Sequence, residues 1–191
     1  MNYIKLKENE TLDKKRCVAE ADIECFKIIE ERLTSSGRYE YLSFPLYYNI
    51  PEEVINGQVP FCPKHEIVPK VCEDGVVMFG DGFIHAYESI EDAIQYMEEQ
   101  TYGYAETRPT IYRCVIPKGT IYYRTFKTRD ESEPAPCYAA LSVRFGEPLL
   151  ERVYGKTRDY KRMEKQETKK KVGIRFVEEY SEEDENLENE E

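Results

Sequence analysis

The 191-residue chain contains no tryptophan and only two histidines, and it nowhere reaches the run of about 18 apolar residues that a membrane-crossing helix requires. Residues 1–8 also lack the unbroken apolar stretch of a secretory leader, so a cytoplasmic location and no membrane partner are expected. Glycine is sparse where phosphate binding would need it. Gly80-Asp81-Gly82 has no third glycine and leads into an extended segment rather than a helix, which leaves an anion without aligned N–H groups or a helix dipole. Basic residues are missing altogether from residues 178–191, which hold nine carboxylates.

That last absence reorganises the charge. The chain carries −11, but without its last 14 residues it carries only −2, so the acidity belongs to the end of the chain. Residues 156–171 hold eight basic and three acidic side chains, a net +5. The C-terminus is therefore a basic block followed by an acidic one. A basic block can bind nucleic acid through counterion release. Here the adjacent acidic run competes for the same cations, and only Tyr160 interleaves the lysines, so a solvated segment is the stronger expectation.

Aromatic residues make up 13% of the chain, with 16 tyrosines, enough to pack an interior. The length suits one domain. Six cysteines, at 17, 25, 62, 72, 114 and 137, do not imply a disulfide framework at this size, and free, mostly buried thiols are expected.

Periodicity assigns the elements. Residues 25–29 are β-branched and aromatic and favour a strand over a helix, with a turn at 35–37. Tyr39 and Tyr41 alternate as in a strand. Prolines 51, 60, 63 and 69 mark a loop with short extended pieces. Residues 76–79 and 83–87 read as strands. Ile90, Ala93, Ile94 and Met97 fall on one helical face behind Ser89, with Glu91 and Asp92 in the first turn, so 90–100 is expected to be a helix. Residues 111–116 and 120–126 read as a hairpin closed by a type I turn, with Pro117 at its second position and Gly119 at its fourth. A loop over 127–136 and a strand over 140–145, with Leu141, Val143 and Phe145 on one face, follow. Residues 158–171 read as a solvated helix and 172–177 as a last strand. The expected fold is α+β: a mainly antiparallel, strongly bent sheet with one or two short helices packed on it. It is expected to span 1–155 as a single globular domain, with 156–191 a charged segment solvated or disordered at its end.

The stretch Gly-Phe-Ile-His-Ala-Tyr-Glu-Ser-Ile-Glu-Asp-Ala-Ile-Gln-Tyr-Met at 82–97 resembles an uncharacterised module of bacterial and phage proteins. That module has a lysine-containing first strand, here Phe26-Lys27-Ile28-Ile29, a tyrosine-rich middle at 39–48, and a Gly-Phe-His strand followed by a helix. The resemblance covers roughly 25–145 and implies no particular activity. The succession of strands, helix and glycine turn also resembles the ADP-ribosyltransferase scaffold. This resemblance implies an NAD-binding cleft with His85 and Tyr87 beside the nicotinamide and a glutamate on the reacting ribose. The arginine-modifying group's Ser-Thr-Ser is replaced here by Ala86-Tyr87-Glu88-Ser89, and no Glu-x-Glu opens a late strand.

Each chemical candidate has a structural counterpart. His85 alternates with Phe83 and Tyr87 beside a glycine turn, where a general base would be useful and a core histidine is the commoner occupant. Cys62, His65 and Cys72 supply three soft ligands where a closed zinc site needs four. Arg113 and Arg124 could face an anion across the expected hairpin, although hairpin charges more often face solvent. Cys114 lies on a strand expected to be buried and hence unreactive. The leading expectation is a non-enzymatic binding or interaction domain of bacterial or phage origin with no cofactor. Its binding residues would be His85, Tyr87, Arg113 and Arg124, its contact chemistry surface tyrosine, and its partner a protein or small molecule. The alternative is an NAD-using transferase. Nucleic-acid association through 156–171 stands third.

Overall fold

The structure, a computed structural model, describes residues 2–34, 36, 39–43, 48–63, 69–72, 74–80, 82–99, 107–127, 134–153 and 156–159. In chain order they form β1 (Asn2–Lys5), a 3-10 turn (Leu12–Lys15), β2 (Cys17–Val18), β3 (Ile23–Leu33), β4 (Tyr39–Ser43), β5 (Tyr48–Ile50) and α1 (Glu52–Ile55). There follow β6 (Lys70–Val71), β7 (Val76–Phe79), β8 (Ile84–Tyr87), α2 (Ile90–Glu99), β9 (Thr107–Ile116), β10 (Ile121–Lys127), β11 (Ala135–Ala140), β12 (Arg144–Val153) and β13 (Lys156–Asp159).

These strands make one open sheet in the order β13-β12-β9-β3-β8-β11-β10-β1-β7-β6, with β4 and β5 added beside β3 and β2 beside β10. Every pairing between them is antiparallel. The expected α+β class is thereby overturned. The molecule is mostly antiparallel β, and its sheet is neither closed nor strongly curled. The described helices have four and ten residues. The physical reason is that β-branched and aromatic residues continue past the short runs that periodicity isolates, into a sheet ladder that rewards both. β3 and β9 pair over ten consecutive registers, from Ile23↔Ile116 to Arg32↔Thr107. Residues 135–136, expected as loop, open β11, and the strand expected over 140–145 divides at a bend after Ala140.

The expected hairpin at 111–126 is also absent, because β9 pairs with β3 and β12 while β10 pairs with β11, β1 and β2. The turn sits one residue later than proposed. Thr120 N donates to Pro117 O at 3.0 Å, with Gly119 at φ 85°, a left-handed conformation that glycine adopts without strain. Ala19 holds it from outside: Gly119 N donates to Ala19 O at 2.8 Å and Ala19 N to Thr120 O at 3.0 Å. The segment after β2 thus takes the bonds that a hairpin would have used.

α2 begins as its sequence implies. Ser89 Oγ accepts from Asp92 N at 3.1 Å and donates to the Asp92 carboxylate at 2.7 Å, while Ala93 and Met97 are fully buried. α1 interrupts the region expected as loop. Pro51 at its start has a fixed φ of −60°, and Val54 and Ile55 are buried. Gly57 follows at φ 70°, where a Cβ would stand 2.6 Å from Phe145 O, so only glycine fits. The turn expected at 35–37 falls largely outside the described residues, as does everything expected beyond 159; Arg158 and Asp159 belong to β13.

Alternation distributes the core over both faces. One face carries Cys25, Ile29, Ile84, Ala86, Tyr112, Cys114, Tyr138 and Ala140, packed with Val54, Ile55, Phe61 and Phe145. The opposite face carries Phe26, Ile28, Tyr87 and Cys137 beneath Ala93, Tyr96 and Met97 of α2, and farther along Ile4, Val77, Phe79, Phe83 and Tyr123. All four residues of β8 are consequently buried.

Candidate functional site

Between the two apolar clusters of the α2 face lies a band of polar side chains. Register places Asn2 opposite Lys127, Thr125 opposite Cys137, Cys137 opposite Tyr87, and His85 opposite Ala139, all on one face. Asn2, Thr125, Lys127 and His85 are all buried, although polar groups carry a desolvation cost there. Hydrogen bonds offset it. Asn2 Nδ2 donates to Thr125 Oγ1 at 2.9 Å, which donates to Cys137 O at 3.1 Å. Lys127 Nζ donates to the Tyr87 hydroxyl at 3.0 Å and lies 3.4 Å from the centroid of the Tyr96 ring, a close cation–π contact from α2.

His85 is held differently. Its Nε2 lies 3.2 Å from Gly80 O. A carbonyl only accepts, so Nε2 carries the proton and donates, leaving Nδ1 as a lone-pair acceptor. Nδ1 is buried with no hydrogen-bond partner among the described residues. Burial first and the Lys27 charge second push the imidazole down to about 3. Lys27 stands where β3 and β8 part. The two strands share the single register pair Phe26↔Tyr87, and beside it Lys27 Nζ donates to His85 O at 2.9 Å. Lys27 is 2% exposed, and its burial pushes the ammonium down to about 8.

This arrangement suits architecture better than proton transfer. A general base works best when its pKa lies near the working pH, and an imidazole held near 3 accepts protons poorly at neutrality. The four residues singled out from the sequence do not converge. His85 and Tyr87 share a face, and Arg113 stands on that face too, in one register row with Phe26 and Tyr87, but two strands from Tyr87 and paired with Glu24 at 3.3 Å and Glu147 at 3.5 Å. Arg124 projects from the face opposite His85, with 70% of its side chain exposed and Glu88 3.9 Å away. Glu88, the carboxylate nearest Tyr87 in sequence, is thus engaged on the other face. Sequence reasoning missed Asn2, Thr125 and Lys127. Their signal was a period of two, since Tyr123, Thr125 and Lys127 alternate inward along one strand.

Among the described residues no group of three or more histidine, cysteine or acidic side chains gathers as a metal site would require. Cys62 is exposed, with Sγ 3.6 Å from Ser142 Oγ, and His65 lies outside the described residues. All six cysteines are free. No helix among the described residues is long and apolar enough to cross a membrane. An open pocket of about 470 Å³ lies between β2 and β10, lined by Cys17, Val18, Glu20, Ala21, Ile23 and Tyr122. Tyr122 alternates with Tyr123, so this pocket is on the face away from His85.

That same face also has an uncovered part. Register lines up Pro136, Phe126, Tyr3, Met78 and Lys70 in one row across β11, β10, β1, β7 and β6. Pro136 is exposed, Phe126 is 45% exposed, and Tyr3 and Met78 are half-buried. Tyr3 and Phe126 lie with ring centroids 6.4 Å apart. No family model matches the chain, and neither does any curated protein or solved structure.

Proposed function

We propose that the chain is a non-enzymatic interaction domain, of bacterial or phage origin and cytoplasmic, that meets a protein partner through the row Pro136, Phe126, Tyr3 and Met78. The observation that carries this reading is the exposure of that row across neighbouring strands. An interior facing water costs about 25 cal/mol per Å² of apolar area, and contiguous apolar surface on a sheet is where partners dock. Aromatic residues, methionine and arginine are enriched in interface cores, and Tyr3, Phe126, Met78 and the neighbouring Arg124 supply all of these. The buried polar band supports the same reading from the other side, because its groups are committed to holding strands together.

A photo-crosslinking phenylalanine analogue at position 126, in the native cells, tests the reading. Val59, exposed to a similar 43% in the α1 region, is the control position. A discrete protein adduct from 126, absent from 59, is expected; identical labelling from both positions overturns the assignment.

A further inference from the structure

The charges around the apolar row specify its partner further. Lys5 shares a face with Tyr3 by alternation on β1, Lys70 stands opposite Met78, and Arg124 shares a face with Phe126 on β10. Lys5, Lys70 and Arg124 are all exposed, and among the described residues the one carboxylate paired with any of them is Glu88, 3.9 Å from Arg124. Among the described residues, three cations therefore frame the row against one anion, on a protein whose net charge is −11. A local surplus opposite in sign to the whole molecule is a selective feature, since it attracts only what matches it at short range.

Resting on the assignment of this face as the docking surface, we infer that its occupant is an acidic protein segment carrying an aromatic or aliphatic anchor. The anchor lies over Phe126 and Met78, and carboxylates face Lys5, Lys70 and Arg124. A two-fold pairing of this face with the same face of a second copy does not fit. A two-fold interface brings the same three cations against themselves, and like charges brought together at an interface are repulsive. A single-stranded nucleic acid offers anions too, but it binds by stacking successive bases on ring faces, and of the four row residues only Tyr3 and Phe126 provide any, while Pro136 and Met78 suit an apolar side-chain anchor.

The test is a titration followed by NMR of the Met78 methyl and the Tyr3 and Phe126 ring signals. The probes are a short synthetic peptide alternating Glu with Phe and Leu, its Gln counterpart, and an oligouridylate. The acidic peptide is expected to shift all three signals, and its Kd to weaken about tenfold or more on raising salt from low to high ionic strength. The double substitution Lys5→Glu with Lys70→Glu, at exposed positions, is expected to abolish binding while leaving Tm close to wild type. Equal binding of the Gln peptide, insensitive to salt, overturns the acidic class and keeps the docking face. Shifts caused only by oligouridylate overturn a protein partner. A Met78 methyl untouched by every probe, together with no adduct from position 126, overturns the docking face itself. If charge reversal leaves acidic-peptide binding intact, the cations play no part and the inference falls.

Discussion

Lys127 donates to the Tyr87 hydroxyl at 3.0 Å while its ammonium lies 3.4 Å from the centre of the Tyr96 ring. One buried cation thus ties the end of β10 to β8 and to α2. Lys127→Met keeps the aliphatic volume and removes the charge-assisted hydrogen bond and the cation–π contact. It is expected to lower unfolding free energy by about 2–3 kcal/mol in chemical denaturation. No loss of stability would show that the contact contributes nothing net.

His85 makes the fold acid-sensitive. Its folded pKa of about 3 lies below the ordinary value of 6.5, so the unfolded chain binds the extra proton first. Stability is then lost as pH falls below 6.5, and the loss continues down towards pH 3. Between pH 7 and 5 it amounts to about 2 kcal/mol. His85→Gln removes that proton, so the difference in stability between wild type and variant is expected to change by about this amount over the same interval. A constant difference would contradict the burial of a neutral imidazole.

Lys27 acts at the alkaline side. Its folded pKa of about 8 lies below the ordinary 10.5, so the unfolded chain again binds more protons, now between these two values. Stability attributable to Lys27 rises with pH across that window, by about 1 kcal/mol between pH 7.5 and 9. Comparison with Lys27→Met isolates this from the thiols, since burial pushes Cys25 up to about 12 and Cys114 well above its usual value. Parallel pH profiles for the two proteins would show that the amine is not desolvated.

The thiols sort by access. Cys62 is exposed, Cys17 and Cys72 are half-buried, and Cys25, Cys114 and Cys137 are buried. Alkylation of the native protein under mass spectrometry is expected to modify Cys62 first, with the buried three labelled only after denaturation. Early modification of Cys114 would mean that β3 and β9 open readily.

NAD is expected to leave Tm unchanged in a thermal shift assay. A rise in Tm that disappears in His85→Ala would displace the non-enzymatic reading, because ligands stabilise the state that binds them.

Much of the local structure was legible from side-chain periodicity. Ser89 and the spacing of Ile90, Ala93, Ile94 and Met97 define α2, and the run around Phe26 and Ile28 identifies β3. Pairing was not legible, because neighbouring strands in sequence need not be neighbours in space. Residues 111–126 looked like a hairpin, yet Ala19, about a hundred residues earlier, captures the turn. The buried band was half visible. His85 and Tyr87 stood out by alternation, but Lys127 ended an apparent strand and read as loop, since nothing local reveals the Tyr96 ring that covers its charge. The exposed row was invisible to periodicity altogether, because Pro136, Phe126, Tyr3 and Met78 come from four distant segments.

The lone register pair between Phe26 and Tyr87 has a consequence for how the chain is made. On one side of it stand β3, β4, β5, β9, β12 and β13, and on the other β1, β2, β6, β7, β8, β10 and β11. These two sets interleave along the polypeptide, so no proteolytic fragment contains either set without part of the other. On the ribosome, β3 emerges early but waits for β9 to complete its long ladder, and β1 waits for β7 and β10. Closing such distant pairs costs chain entropy before the contacts repay it. The nascent chain therefore gains little protection until residues beyond 140 have emerged, and the protein is expected to be a slow folder whose incomplete forms depend on chaperones.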